Sequence, residues 1–158
     1  MRYTQSQIRE LLSISVDALR TWRAAIPALA AHKGHAPSFT PGDVVAIAIV
    51  AELVKDFGVR VGTVGGRFDQ LFRECRGKSW LSLESCIALI EADSIRLVDA
   101  GKPVRPSPDV STLCVPCGPI VSRLQSALTA TEADLAQGNL QFPPTVIGSQ
   151  TERRGRRA

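Results

Sequence analysis

Residues 3–23, YTQSQIRELLSISVDALRTWR, confine the N-terminal part of the chain to two short helices that meet at a tight turn. Thr4 is a good N-cap, and Gln7, three positions on, is the partner that a capping box needs. Ile8, Leu11 and Leu12 form one apolar side, which predicts a helix over 5–12. Ser13-Ile14-Ser15 is the turn, with Ile14 directed inward. Ser15 can cap a second helix over 16–25, where Val16, Leu19, Trp22 and Ile26 recur at helical spacing. Asp17, Arg20, Thr21 and Arg23 occupy its opposite side, and Pro27 ends or bends it. Two helices joined this way, the second carrying cations outward, fit a helix-turn-helix whose second helix enters a DNA major groove.

The following segment, 28–39, contains Gly34 and Pro37 and no periodicity, so it reads as a loop or small β-wing. Thr40-Pro41 then opens a helix to about Phe57: Thr caps, Pro takes the first position and Asp43 favours the dipole. Gly58 stops it. Its apolar residues cover most of its surface, which predicts a central buried helix or one that also meets a partner. Another helix is expected over 61–75, with a start weakened by Gly62, Gly65 and Gly66. Arg76-Gly77-Lys78 is a linker. Residues 86–91 and 95–98 read as strands, 102–109 as a proline-rich loop, 113–115 as a third strand and 119–129 as a helix. From about Gln137 the chain is Gly-, Pro- and polar-rich and is expected to be disordered.

The fold class expected is therefore α+β, mainly α. A winged helix-turn-helix over 1–75 would be followed by a small α+β dimerisation or partner module over 79–136 and a disordered basic tail over 137–158.

Charge agrees with a nucleic-acid partner without requiring one. Nineteen Lys and Arg oppose fifteen Asp and Glu. Residues 1–73 carry a net +3, 74–125 are neutral, and 126–158 carry +1 with four arginines in the last six positions. No apolar leader opens the sequence, and 46–54 is too short and too acidic at Glu52 to span a bilayer. A cytoplasmic protein without membrane contact is expected, with its four cysteines reduced.

The first 72 residues resemble the winged helix-turn-helix of MerR-type regulators. The residues that carry the likeness are Tyr3-Thr4, then Ile14-Ser15, then Ala18-Leu19-Arg20-Thr21-Trp22-Arg23. Phe39-Thr40-Pro41-Gly42-Asp43-Val44 and Leu53 to Val61 continue it in the family's order. The resemblance implies double-stranded DNA as partner and a homodimer as the working unit. It covers less than half the chain and departs in three places: Ser13 stands where the family has a turn glycine, Ser38 replaces an arginine, and no long heptad helix follows to join two copies.

The DNA-binding candidates are Ser15, Asp17, Arg20, Thr21 and Arg23 on the second helix, with Lys33 and His35 at the wing tip. Arg20 is the main candidate, because a guanidinium can bond a guanine bidentately or clamp a phosphate. Trp22 reads as core. The ordinary alternative is an amphipathic helix in an all-α domain. His32 and His35 have H-x-x-H spacing but read as a solvated wing rather than a metal site. Cys114 and Cys117 have C-x-x-C spacing, which leaves incidental core thiols, a redox pair or a metal half-site open. No paired-carboxylate motif, phosphate loop or nucleophile with a base is visible, so neither enzyme activity nor a cofactor is expected. The leading expectation is a DNA-binding transcription regulator of bacterial or mobile-element origin, arginine excess over lysine being the hint of source. An excisionase-like architectural factor and a protein-interaction module without DNA binding are the alternatives.

Overall fold

The computed structural model describes residues 2–32, 36–103 and 109–138, with side chains to 130. Its elements are α1 (Gln5–Leu12), α2 (Val16–Ala25), α3 (Pro27–Ala30), α4 (Pro41–Phe57), α5 (Val61–Cys75), α6 (Trp80–Glu84), β1 (Cys86–Ile90), β2 (Ile95–Asp99), β3 (Leu113–Pro116) and α7 (Cys117–Gly138). The architecture is mainly helical with one three-stranded antiparallel sheet in the order β2-β1-β3.

α4 is the centre. Thr40 and Asp43 close a reciprocal capping box at its start, and Gly58 ends it in the left-handed region. Every residue from Val44 to Val50 is buried, on all sides of the helix. α1, α5, α6 and α7 all pack on it. Each aliphatic side chain so buried stabilises the fold by about 1.5–3 kcal/mol relative to exposure. With that surface covered from within the chain, Val44 to Val50 offer nothing to a second molecule.

One apolar cluster runs from Tyr3 through α4 and α5 to Leu124 on α7, so the core is continuous across Arg76-Gly77-Lys78. Trp80, just past that linker, stacks on Tyr3 with ring centroids 5.9 Å apart and donates its indole N–H to Pro41 O at 2.9 Å. Arg123 of α7 pairs with Glu52 of α4. The sheet packs against α5 through β2 and against α7 through β1. Glu91 ties its turn together by accepting from Ser94 Oγ, Arg96 and Thr112 Oγ1.

Four local features differ from the sequence reading. Residues 27–30 form a helical turn, because Pro27 sits at a first-turn position where its missing N–H is harmless and Leu29 is buried. Among the described residues, the strand pairing of the wing segment is a single antiparallel bridge between Tyr3 and Phe39. α6 is capped by Ser79 and held by buried Leu83, and at five residues it is too short to show periodicity. α7 starts at Cys117 and continues to Gly138, beyond the 119–129 expected. The rest of the tail expected to be disordered, 139–158, lies outside the described residues.

The corner between α1 and α2 is built on Ser13 at φ 52, the one positive-φ residue other than glycine among those described. A side chain there costs about 1–2 kcal/mol against the right-handed alternative. Ser13 is exposed, so nothing else opposes replacement. Ser13→Gly is expected to raise stability by about 0.5–1 kcal/mol after glycine's own entropy loss, read from urea unfolding. A lower midpoint would show that the corner is not strained.

Candidate nucleic-acid interface

α2 is fixed at both ends and along its inner side. Ser15 caps it by accepting from Ala18 N at 3.1 Å. Leu19 and Trp22 are buried, so Trp22 is core. Behind it lies α5, and the two approach so closely at Gly65 that a Cβ there would stand 2.3 Å from Ala25 O. Below it, Asp69 of α5 accepts from Ala28 N at 2.7 Å and so caps the start of α3 from outside.

The outer face of α2 consists of Val16, Asp17, Arg20, Thr21 and Ala24, all exposed. Arg20 makes no hydrogen bond or ion pair among the described residues. Thr21 Oγ1 donates back to Asp17 O at 2.8 Å, which leaves its oxygen lone pairs outward. Val16 is 53% exposed at the first helical position, although its spacing with Leu19 and Trp22 places it on the apolar side. α2 packs on α5 and α3, and Val16 at its first position stays outside that contact. An aliphatic group at that end can meet a thymine methyl.

Arg23 has a different place from the other sequence candidates. It is half-buried, and its guanidinium donates to His32 O at 2.7 Å and to Gln5 Oε1 at 3.3 Å. It clamps α1 and the segment after α3 to α2, which ties the guanidinium into the scaffold. Lys33 and His35 lie outside the described residues.

Sequence spacing does not single out Arg60. It follows the left-handed Gly58, precedes α5 and is exposed. With Thr21 and Gly62 it lines a shallow depression of about 400 Å³ next to α2. A second cation thus borders the face that carries Arg20. Only the folding of the α4–α5 corner back toward α2 brings Thr21 and Arg60 together, 39 positions apart.

A buried polar cluster lies at the start of α4. Asp43 is 1% exposed. Its Oδ2 accepts from Thr40 N at 2.8 Å and from Thr40 Oγ1 at 2.7 Å. Its Oδ1 has no hydrogen-bond partner among the described residues and lies 4.0 Å from the Arg76 guanidinium. His32 stacks on Phe39 at 4.2 Å, with Nε2 3.8 Å from Asp43 Oδ2, too far for a hydrogen bond. Burial holds the His32 pKa below the usual histidine range; Asp43 opposes this, and Arg76, Arg2 and Arg23 act with it.

Cys114 and Cys117 do not share a site. Cys114 is exposed on β3, whereas Cys117 is fully buried at the start of α7. Burial pushes the Cys117 thiol up to about 11, against the lowering that a helix start supplies to an attacking thiol. Among the described residues no group of three or more His, Cys, Asp or Glu is placed to hold a metal ion. None of the described helices is long and apolar enough to cross a membrane.

No protein-family model, curated protein or solved structure matches this chain.

Two predictions follow the geometry. Gly65→Ala forces α2 and α5 apart at a backbone contact, so it is expected to destabilise the fold by about 1–3 kcal/mol; an unchanged melting curve would mean that the approach relaxes freely. The second concerns pH. His32 protonates less readily when folded than unfolded, so the unfolded chain takes up more protons as pH falls below about 6.5. Stability should therefore drop between pH 7.5 and 5.5, and His32→Gln should flatten that drop in urea titrations. Equal slopes for the two proteins would remove His32 from the acid response.

Proposed function

We propose that the protein is a sequence-specific, double-stranded-DNA-binding regulator that inserts α2 in the major groove. The observation that carries the reading is the outer face of α2. It is a capped, rigidly backed helix whose Arg20 is exposed and has no partner among the described residues, and Arg60 lines a depression with Thr21 of the same face.

In this reading Arg20 donates both guanidinium N–H groups to guanine O6 and N7. Asp17 accepts from a cytosine amino group, and Val16 meets a thymine methyl. Thr21 and the free N–H groups at the start of α2 bond phosphate oxygens, which a helix N-terminus favours. Arg60 neutralises a neighbouring phosphate and adds affinity without sequence preference. A homodimer would read two half-sites, because one small helix-turn-helix buries little surface. The arginine-rich tail would add salt-dependent affinity. The MerR likeness in 1–72, the basic N-terminal half and the absence of a visible catalytic set support this reading over an enzymatic one.

The test begins with selection of binding sites from pooled genomic DNA by the full chain. On the selected site, Arg20→Ala is expected to weaken binding by about 1–3 kcal/mol and relax preference at one base position. Arg60→Ala should weaken all sequences about equally and reduce the salt slope by about 1. No enrichment of any sequence at low salt would overturn the proposal. Enrichment that is indifferent to Arg20 would move the interface off α2.

A further inference from the structure

Three of the four cysteines approach one another where the sheet meets α7. Ile87 of β1 pairs with Pro116 of β3, Ala88 with Val115 and Leu89 with Cys114. Cys86, the first residue of β1, and Cys117, the first residue of α7, flank the last of these pairs, and the charge of Cys86 is felt at Cys117. Side chains alternate along β1, so Cys86 shares the face of Ala88, which belongs with Val115 and Cys117 to the main apolar core; Leu89 is buried on the other face. Cys114 is on the other face, opposite Leu89, and exposed. Directly opposed residues of an antiparallel pair stand about 4.5–5.5 Å apart at Cα. A disulfide spans about 4.4–6.8 Å between Cα atoms.

From this register we propose that Cys86 and Cys117 form a thiol-oxidation site that closes to an intramolecular disulfide on meeting a small-molecule disulfide of the glutathione class. The C-x-x-C spacing in the sequence draws attention to Cys114, but the fold gives Cys117 a different neighbour. This inference stands independently of DNA binding.

The two thiols differ in access, and that orders the steps. Cys86 is half-buried, with Sγ 3.2 Å from Ser82 O at the end of α6. Cys117 and Cys75 are fully buried. Burial raises all three thiols, Cys75 to about 12 and Cys117 to about 11, and the Lys78 ammonium opposes the rise at both Cys75 and Cys86, of which only Cys86 is within reach of solvent. Cys86 therefore reacts first. Its thiolate attacks one sulfur of the glutathione disulfide, the S–S bond breaks, and one glutathione leaves as a thiolate. Cys117 then gives up its proton and attacks Cys86 Sγ, which releases the second glutathione. Two protein thiols are oxidised by two electrons. One glutathione disulfide is reduced to two thiols, which take the two protons. The closed form joins β1 to α7 and constrains residues 86–117 in the unfolded chain.

The experiment uses the full chain carrying Cys114→Ser, a change at an exposed position that leaves Cys75, Cys86 and Cys117. The protein is incubated with oxidised glutathione, its free thiols are blocked, and it is digested with trypsin without reduction. The expected result is loss of two hydrogen masses from the intact protein. A cross-link should join the peptide carrying Cys86 to the one carrying Cys117, reversible by dithiothreitol, and the oxidised form should melt several degrees higher. A link through Cys75, glutathione adducts without a link, or three thiols left unmodified after exhaustive oxidation would each overturn the proposal.

Discussion

Burial of α4 on all sides is the constraint from which the other contacts follow. A helix whose residues from Val44 to Val50 are all inside cannot rest on a single partner. It needs cover from several directions, and α1, α5, α6 and α7 supply it. Its start is fixed as tightly as its length. A Cβ at Gly42 would stand 2.1 Å from Cys75 O, so the first turn of α4 lies directly on the last turn of α5. Asp43, next in sequence, is buried by the same approach, and the capping hydrogen bonds from Thr40 compensate its charge in part. Arg76, one residue past α5, reaches back toward that carboxylate. The N-terminus of α4 and the C-terminus of α5 are thus one packed and charged joint.

That joint positions the candidate interface indirectly. α5 leaves it and passes behind α2, where Gly65 sets the separation and Asp69 holds the start of α3. Arg23 then fastens the underside of α2 to His32 and to Gln5 of α1. Every one of these contacts lies on the inner side of α2. The outer side keeps Val16, Asp17, Arg20 and Thr21 free of tertiary constraint. A helix held only from behind can present its face in a fixed orientation, which is what reading base edges requires. The partition of the arginines follows the same geometry: Arg23 serves the scaffold, whereas Arg20 and Arg60 stay exposed.

The C-terminal elements belong to the same body. Trp80 bonds to α4 and stacks on Tyr3, and α7 covers a flank of α4 with Ile120, Val121 and Leu124 buried. Removing them would uncover apolar surface on the helix that anchors everything else. The linker at 76–78 is therefore a turn within one core rather than a hinge between two cores. This also explains the placement of the thiols. Cys75, Cys86 and Cys117 sit at the ends of three elements that converge on one seam, whereas Cys114 points away from it.

The sequence by itself determined those elements whose signals are local. Thr4, Ser15 and Thr40 mark helix starts because a cap acts through its own next three residues, and α1, α2 and α4 begin where those caps stand. Gly58 marks an end for the same reason, and the strands at 86–90, 95–99 and 113–116 follow runs of apolar residues between turn signals. The outward position of Arg20 was legible from helical spacing alone. Only the tertiary structure decided which side chains the neighbours cover. Val16 shares the spacing of core residues but extends past the helices that pack on α2. Arg23 shares the spacing of the exposed face, yet it meets His32 and Gln5. Arg60 joins Thr21, and Ile87 of β1 meets Pro116 of β3, through pairings between segments far apart in the chain. Capping and periodicity report what a segment does with its own backbone, whereas coverage and cross-strand register depend on partners that sequence spacing does not encode.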